Sequence, residues 1–218
     1  MEERAVVTVF LRHDGQVLLL RRSDEVGSYP GRWGGVAGHA EGDPDQAALG
    51  EVREETGLGD GAVELVRRGD PFHVRDEDLD IRWTVTPFLF DCSTRSIETD
   101  WETAAFEWVH PSAILTRDTV PDLWTSYDRV RPTVETVQDD TTNGSAYISI
   151  RALEVLRDEA ALLAASDGGW AEIAAVGESL RDARPEMAAV TNRISQVLSS
   201  VVKREKSPDA AHSEAIEA

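Results

Sequence analysis

The spacing of apolar residues changes character once along this chain, close to residue 131. Before that point, short β-branched runs alternate with turn residues, which is typical of β-strands. The strand-like runs are residues 5–12, 16–22, 62–68, 81–90 and 105–109. After it, apolar residues recur every three or four positions, which is typical of amphipathic helices. The change predicts an α+β protein with a mixed domain at residues 1–130 and a helical domain at 131–218.

Two segments of the mixed domain predict sharper local structure. His13-Asp14-Gly15 separates the first two strand-like runs and indicates a tight hairpin. Residues 45–56 predict a helix, because Asp43 can cap it, Pro44 suits its first turn and Gly57 can end it. The helix would turn Ala48 and Val52 inward.

In the helical region, glycine and proline divide the pattern into segments. Gly168-Gly169 and Pro185 separate three predicted helices, and Ser207-Pro208 opens a fourth. The apolar stripe of the first helix consists of Ala146, Ile150, Leu153, Leu156, Ala160 and Leu163. The fourth helix still has a helical pattern at the last residue, so we expect a truncated all-α domain. Its stripes need a covering surface, which favours a homo-oligomer or packing on the mixed domain.

The charge of the chain restricts its partners. The formal net charge at pH 7 is −19, and the only two lysines are Lys203 and Lys206. Such a surface repels phosphate backbones, so we expect no nucleic-acid partner. Excess carboxylate with scarce lysine favours solubility at high salt, where self-repulsion is screened, and so predicts a halophilic protein.

Cysteine content and hydropathy indicate the compartment. Cys92 is the single cysteine, so the chain cannot form an internal disulfide and nothing points to an oxidising compartment. No run approaches the roughly 20 apolar residues that span a bilayer. The first ten residues enter a strand pattern without a signal-peptide core. We expect a cytoplasmic protein with no membrane partner.

The segment Gly38–Leu58 carries three glutamates at helical spacing. Glu51, Glu54 and Glu55 stand at i, i+3 and i+4, so a helix would bring their side chains to one face. A divalent cation would remove the repulsion between these carboxylates, and an all-oxygen donor set suits Mg²⁺ or Mn²⁺. The preceding glycine-rich stretch would let the backbone approach a ligand closely. The pattern favours metal-assisted hydrolysis of a diphosphate; the alternative is a solvated acidic helix face.

This segment also resembles the signature of the Nudix hydrolase family, G-x5-E-x7-R-E-U-x-E-E-x-G-U, in which U is apolar. Glu51-Val52, Glu54-Glu55 and Gly57-Leu58 match its second half at the right spacing, and Gly38 matches its start. VVTVFLRHDGQVLLLRRS resembles the family's opening hairpin, and FEWVHPSAI resembles its closing strand and turn. The resemblance covers about residues 4–130 and implies a mixed β-sheet sandwiched by helices.

The resemblance also implies roles for these residues. Glu54 and Glu55 would bind the metal, and Glu51 would be a metal ligand or the catalytic base. A backbone carbonyl near Gly38 would add a further ligand. The implied reaction is Mg²⁺-dependent (or Mn²⁺-dependent) hydrolysis of a pyrophosphate bond in a nucleotide or other diphosphate substrate.

Two departures from the signature bear on activity. The loop between Gly38 and the helix is two residues short, so Asp43 is the nearest counterpart of the first glutamate. Gly50 stands where the family has an arginine, whose donors can hold carboxylates in place. Both departures favour a second hypothesis, in which a weakened Nudix domain senses a nucleotide or sugar phosphate and regulates a partner.

Three further residues are candidates for substrate binding. Arg22 ends the second strand-like run and could meet a substrate phosphate, and His39 lies beside the predicted site. Glu102 lies where the family often places a distal metal ligand or base. Glu98 and Glu107 are weaker candidates for that position. The alternatives are a surface arginine, a turn histidine and exposed acids.

The helical region carries a second, weaker resemblance. VETVQDDTTNGSAYISIRALEVLRD and SLRDARPEMAAVTNRISQVLSS resemble the helical N-terminal part of the archaeal ribose-1,5-bisphosphate isomerase and initiation factor 2B subunit family. In that family the catalytic residues lie mainly in a following Rossmann-like domain, so the resemblance implies no isomerase activity here. It favours an archaeal protein and, under the sensor hypothesis, an isomerase-like or initiation factor 2B-like partner. A third hypothesis makes the helices an assembly scaffold.

Overall fold

The structure is a computed structural model that describes residues 1–204 and 206–218. The chain forms two compact units, Met1–Val130 and Arg131–Ala218. The first contains the sheet, and the regular elements described in the second are helices.

The described residues of the first unit form one mixed sheet of eight strands. The central order is β3-β2-β1-β7-β5, with β4 paired to β1, β6 to β7 and β8 to β2. The strands are β1 (Glu2–His13), β2 (Gln16–Arg22), β3 (Trp33–Gly34), β4 (Val36–His39), β5 (Val63–Arg68), β6 (Phe72–Asp76), β7 (Ile81–Cys92) and β8 (Thr103–Val109).

Strand β1 organises the sheet because it pairs along both of its edges. It runs parallel to β7 from Glu2 opposite Ile81 to Arg12 opposite Asp91. Its other edge pairs with β4 from Val6 to Val9 and with β2 at the hairpin. The predicted hairpin is confirmed: Asp14 and Gly15 both have positive φ, which is the conformation of a two-residue turn between antiparallel strands.

Helical segments cover both faces of this sheet. Alternate residues of β1 enter different cores, with Val9 and Leu11 on one face and Phe10 on the other. The first core is closed by helix α1 (Pro44–Thr56), and the second by a 3-10 segment (Pro111–Leu115) and helix α2 (Leu123–Asp128). The mixed sheet between helices implied by the family resemblance is therefore confirmed.

Helix α1 begins and ends where its sequence predicts. The side chain of Asp43 accepts a hydrogen bond from the amide of Asp45, and Pro44 occupies the first turn. Gly57 ends the helix in the left-handed conformation, with φ of 69°, and its amide donates to the carbonyl of Arg53.

The second unit contains five helices among its described residues. They are α3 (Val134–Asp139), α4 (Ser145–Ala165), α5 (Trp170–Ala183), α6 (Ala188–Arg204) and α7 (Pro208–Glu217). The long α4 packs against α5, α6 and α7. Two residues of the predicted stripe lie on the wrong side: Ala146 and Ile150 are exposed, and Ile148 occupies the core instead.

Several short elements have no counterpart in the predictions. They are β3, β4, β6, α2 and α3. Strand β6 reads FHVRD, and its charged residues obscure the alternating apolar pattern that would predict a strand. Pairing with β7 holds the segment in the sheet. Helix α3 spans six residues, which is too short for an apolar period of 3.6 to repeat. No helix among the described residues is long and apolar enough to cross a membrane.

Candidate active site

A cavity of about 620 Å³ opens beside α1 in the first unit. It brings together six of the residues that the sequence marks as site candidates. These are Arg22, Gly38, His39, Glu51, Glu54 and Glu102. They come from four separate places along the chain: β2, β4, α1 and the turn before β8. The seventh candidate, Glu55, lies behind the cavity wall.

Gly38 and Glu51 are in direct contact. Strand β4 pairs with β1 so that Gly38 lies opposite Val7, which places its Cα beneath α1. A Cβ atom built on Gly38 would overlap the carboxyl group of Glu51. The missing side chain thus leaves the space in which the Glu51 carboxylate lies against the strand backbone.

Glu55 does not share the exposed face of Glu54 as the helical spacing predicts. Its side chain is 8% exposed and belongs with Ala48 and Val52 on the inner face of α1. Its carboxylate accepts a hydrogen bond from the amide of Ala37 at 3.1 Å. Burial, with the nearby charge of Glu51, raises the pKa of Glu55 to about 8. Ionisation of the Glu55 carboxyl group is therefore disfavoured unless a cation lies close to it.

Asp100 is an acid of this site that the sequence analysis missed. Burial raises the pKa of Glu51, and the charges of Glu54, Glu102 and Asp100 raise it further. The charge of Asp100 also raises the pKa of Glu55. Its carboxylate accepts a hydrogen bond from the amide of Glu102 at 3.0 Å, which holds this turn. We call these five residues the acidic cluster.

The two basic candidates lie at the same cavity. Arg22 donates from Nε to the carbonyl of Ser28 at 2.8 Å and lowers the pKa of Glu55 by its charge. His39 is exposed, with its ring 6.4 Å from that of Trp83. Arg22 is therefore positioned between the acidic cluster and the loop that follows β2.

The rival acids lie elsewhere. Glu98 is outside the cavity lining, and its amide donates to the carbonyl of Thr56 beyond the end of α1. Glu107 forms an ion pair of 2.5 Å with Arg117. Asp43, the nearest counterpart of the first signature glutamate, is exposed and caps α1. The structure thus gives Asp43 a capping contact outside the cavity lining.

Gly50 sits in α1 beside the acidic cluster with open space around it. A Cβ atom built there would meet no atom within 4 Å. The space that a larger side chain needs is therefore present at this position.

Aromatic and apolar side chains also line the cavity. Trp83 forms part of its floor and packs with Val74, Ile81 and Val85 in a small separate core. Trp101 lies on the cavity lining with 62% of its surface exposed. The cavity thus combines charged groups with surface that suits a flat apolar group.

The donor set of the cavity suits a divalent cation that is bound openly and not enclosed. Among residues 1–204 and 206–218, no three Asp, Glu, His or Cys side chains converge tightly enough to enclose an ion. Mg²⁺ does not need such a cage, because it commonly binds through one or two carboxylates, waters and substrate phosphates. The carboxylates of Glu51 and Glu54 on one cavity, with the bare backbone at Gly38, fit that open arrangement.

The fold and site define the class of this protein. A family model described as "NUDIX domain" matches residues 1–130, more than half of the chain. The chain therefore belongs to the Nudix family. Hydrolases of this family generally use divalent metals such as Mg²⁺ or Mn²⁺. No curated protein matches the chain.

Solved structures show the same fold at low sequence identity. The Nudix hydrolase RenU from M. smegmatis is 20% identical, with a TM-score of 0.50, over 66% of this chain and 90% of RenU. A Nudix hydrolase from Nitrosomonas europaea is 16% identical, with a TM-score of 0.50, over 59% of this chain and 88% of its own. At these identities the likeness is one of fold.

Proposed function

We propose that the first unit hydrolyses a pyrophosphate bond in a nucleoside diphosphate-type substrate, using Mg²⁺ or Mn²⁺ held by the acidic cluster. The observation that carries the proposal is that Glu51, Glu54 and Glu102 line one cavity. At the same cavity, Gly38 has no side chain and so leaves space for the Glu51 carboxylate. A solvated acidic helix face would need neither the cavity nor the close contact.

The roles of the residues follow from their positions. Glu54 is exposed on the cavity and can reach a cation without moving the helix. Glu51 and Gly38 border the same space. The buried Glu55 lies on the inner face of α1, where a bound cation would favour its charged form. When bound, the metal would polarise the phosphoryl oxygens and offset the charge that develops on them. Glu51 is the candidate ligand or base, because its carboxylate lies on the cavity against the backbone of β4.

Substrate groups have matching surfaces in the cavity. Arg22 and His39 line the cavity and offer donors to phosphate oxygens. Trp83 and Trp101 offer flat apolar surface to a base or another planar group. Glu102 borders the cavity, and its charge raises the pKa of Glu51. Both observations support a role for Glu102 as distal ligand or base.

A specific observation also favours the sensor hypothesis. The absence of a side chain at Gly50 leaves the glutamates without the family's arginine, and loose geometry at reacting groups is costly to catalysis. Under this hypothesis the first unit binds the nucleotide tightly and turns it over negligibly. We propose the second unit, Arg131–Ala218, as a helical domain with an isomerase-like or initiation factor 2B-like partner in that case.

The deciding experiment is a substrate panel. ATP, ADP-ribose and diadenosine tetraphosphate would be incubated with the full chain and Mg²⁺ at high salt, and phosphate-containing products measured. Hydrolysis of at least one compound, abolished by EDTA and restored by Mn²⁺, is expected. Tight binding of a panel member, measured by calorimetry, without any turnover would establish the sensor hypothesis instead.

Gly50→Arg is expected to raise the hydrolytic rate or the metal affinity, by several-fold at low salt and less at high salt. The new guanidinium would lie next to Glu51, where it can hold carboxylates and oppose their repulsion. High salt screens the same repulsion, so the gain should shrink there. The measurement is kcat and the Mg²⁺ dependence at two salt concentrations.

The control for this gain is Gly50→Ala. That variant shares the improved helix propensity, about 1 kcal/mol over glycine, but adds no charge. If alanine raises the rate as much as arginine, the effect comes from helix rigidity. A slower Gly50→Arg enzyme would show that the cluster already has another support.

A further inference from the structure

Two cavities of the first unit share one wall. The cavity beside α1 and a second cavity, also of about 620 Å³, are both lined by Gly27, Ser28, Tyr29, Leu79 and Pro121. The second cavity is otherwise polar, with Arg32, Arg75 and Asp76 among its lining residues. The segment after β2 therefore separates two adjoining spaces.

The side chain of Tyr29 spans this wall. Its hydroxyl donates a hydrogen bond to Asp76 at 2.5 Å and accepts one from the indole nitrogen of Trp83 at 3.1 Å. Trp83 lines the first cavity and Asp76 lines the second. The Tyr29 hydroxyl is therefore hydrogen-bonded to one lining residue of each cavity.

The backbone at Tyr29 shows that these contacts hold it in place. Its φ is +51°, a left-handed conformation that a bulky side chain rarely adopts. Such a conformation persists when the surrounding contacts over-determine it. Here those contacts are the two hydrogen bonds and the guanidinium of Arg32, 6.0 Å from the ring centre.

We propose that Tyr29 is a specificity-determining residue that limits the length of substrate the first cavity accepts. With the ring in place, the part of a substrate that extends away from the acidic cluster ends against Tyr29 and Trp83. Without it, the two cavities join, and a second nucleoside can extend past the wall. The assignment rests on the proposed function, and it names short diphosphate derivatives as the preferred substrates over dinucleoside polyphosphates.

The test is Tyr29→Gly, measured as the ratio of kcat/KM for diadenosine tetraphosphate to that for ATP. Glycine adopts a positive φ freely, so this variant removes the side chain without straining the backbone. We expect the ratio to rise about tenfold or more, which is the scale at which steric fit discriminates between substrates. Thermal unfolding checks that the variant is folded.

Tyr29→Phe is the matched control. It removes both hydrogen bonds but keeps the ring that separates the cavities, so the ratio should rise much less than in Tyr29→Gly. The same comparison by calorimetry in a Glu54→Gln background gives a readout that does not depend on turnover. There, affinity for diadenosine tetraphosphate should increase relative to ATP.

The outcomes separate this inference from the proposed function. If wild-type protein hydrolyses no compound in the panel, the proposed function fails, and the binding ratio still tests Tyr29. If wild type is active and Tyr29→Gly leaves both ratios unchanged, the assignment of Tyr29 is wrong. Loss of turnover of both substrates in folded Tyr29→Gly, with the binding ratio unchanged, would likewise overturn the length role.

Discussion

Glu54→Gln is expected to lower kcat by roughly a hundredfold or more and to weaken Mn²⁺ binding. Even groups that only support a metal ligand typically contribute 10–100-fold, and Glu54 faces the cavity itself. Glutamine keeps the size and the polar character of the side chain but removes its charge. The measurement is steady-state hydrolysis across a range of Mg²⁺ concentrations.

Glu54→Gln should keep the melting temperature of wild type without metal but gain less stability than wild type when Mg²⁺ is added. Glu54 is exposed, so the fold does not depend on it. Without metal, Glu54→Gln should melt at the same temperature as wild type or slightly higher, because one repulsive charge near Glu51 is gone. With Mg²⁺, wild type should gain stability by mass action and the variant should gain less.

Glu98→Gln is the matched control for Glu54→Gln. Glu98 is an exposed acid near the end of α1 but outside the cavity lining. It should leave both turnover and the metal-induced rise in melting temperature unchanged. Unaltered turnover in Glu54→Gln, or equal losses in both variants, would remove Glu54 from the site.

Gly38→Ala is expected to cut hydrolysis by tenfold or more while leaving the fold nearly intact. The new methyl group would occupy the space of the Glu51 carboxyl group. Those atoms are the end of a flexible side chain, which can rotate away at small cost, so stability should change little. Activity should fall because the carboxylate no longer lies against β4, and loose geometry at reacting groups is costly.

Gly27→Ala is the control for that variant. Gly27 also lines the cavity, but a Cβ atom there would meet nothing within 4 Å. Near-normal activity in Gly27→Ala together with a deep loss in Gly38→Ala is the expected pair of results. A large fall in melting temperature for Gly38→Ala would mean that the glycine serves the fold instead of the site.

Local sequence signals predicted the frame of this site. The turn Asp14-Gly15, the cap Asp43 and the stop Gly57 depend on residues close together in the chain, and each occurs where its pattern indicates. The family signature placed Glu51 and Glu54 on one helix for the same reason. These features need no knowledge of distant contacts.

Features that depend on distant contacts could not be predicted in this way. The helical spacing predicts that Glu55 shares one face with Glu51 and Glu54, but the amide of Ala37 on a neighbouring strand gives its buried carboxylate a partner. Asp100 joins the cluster only because its turn folds back to α1. Tyr29 meets Asp76 across 47 residues of sequence, which no local pattern encodes. One signal was available for Asp100: it lies two residues before the candidate Glu102.

Mn²⁺ titration monitored by electron paramagnetic resonance measures whether the acidic cluster binds the divalent metal proposed for hydrolysis. Wild type and Glu51→Gln/Glu54→Gln would be titrated at high salt, where weak binding to the acidic surface is screened. We expect saturable binding to wild type that Mg²⁺ displaces, weakened at least tenfold in the double variant. Identical titration curves for the two proteins would contradict the account.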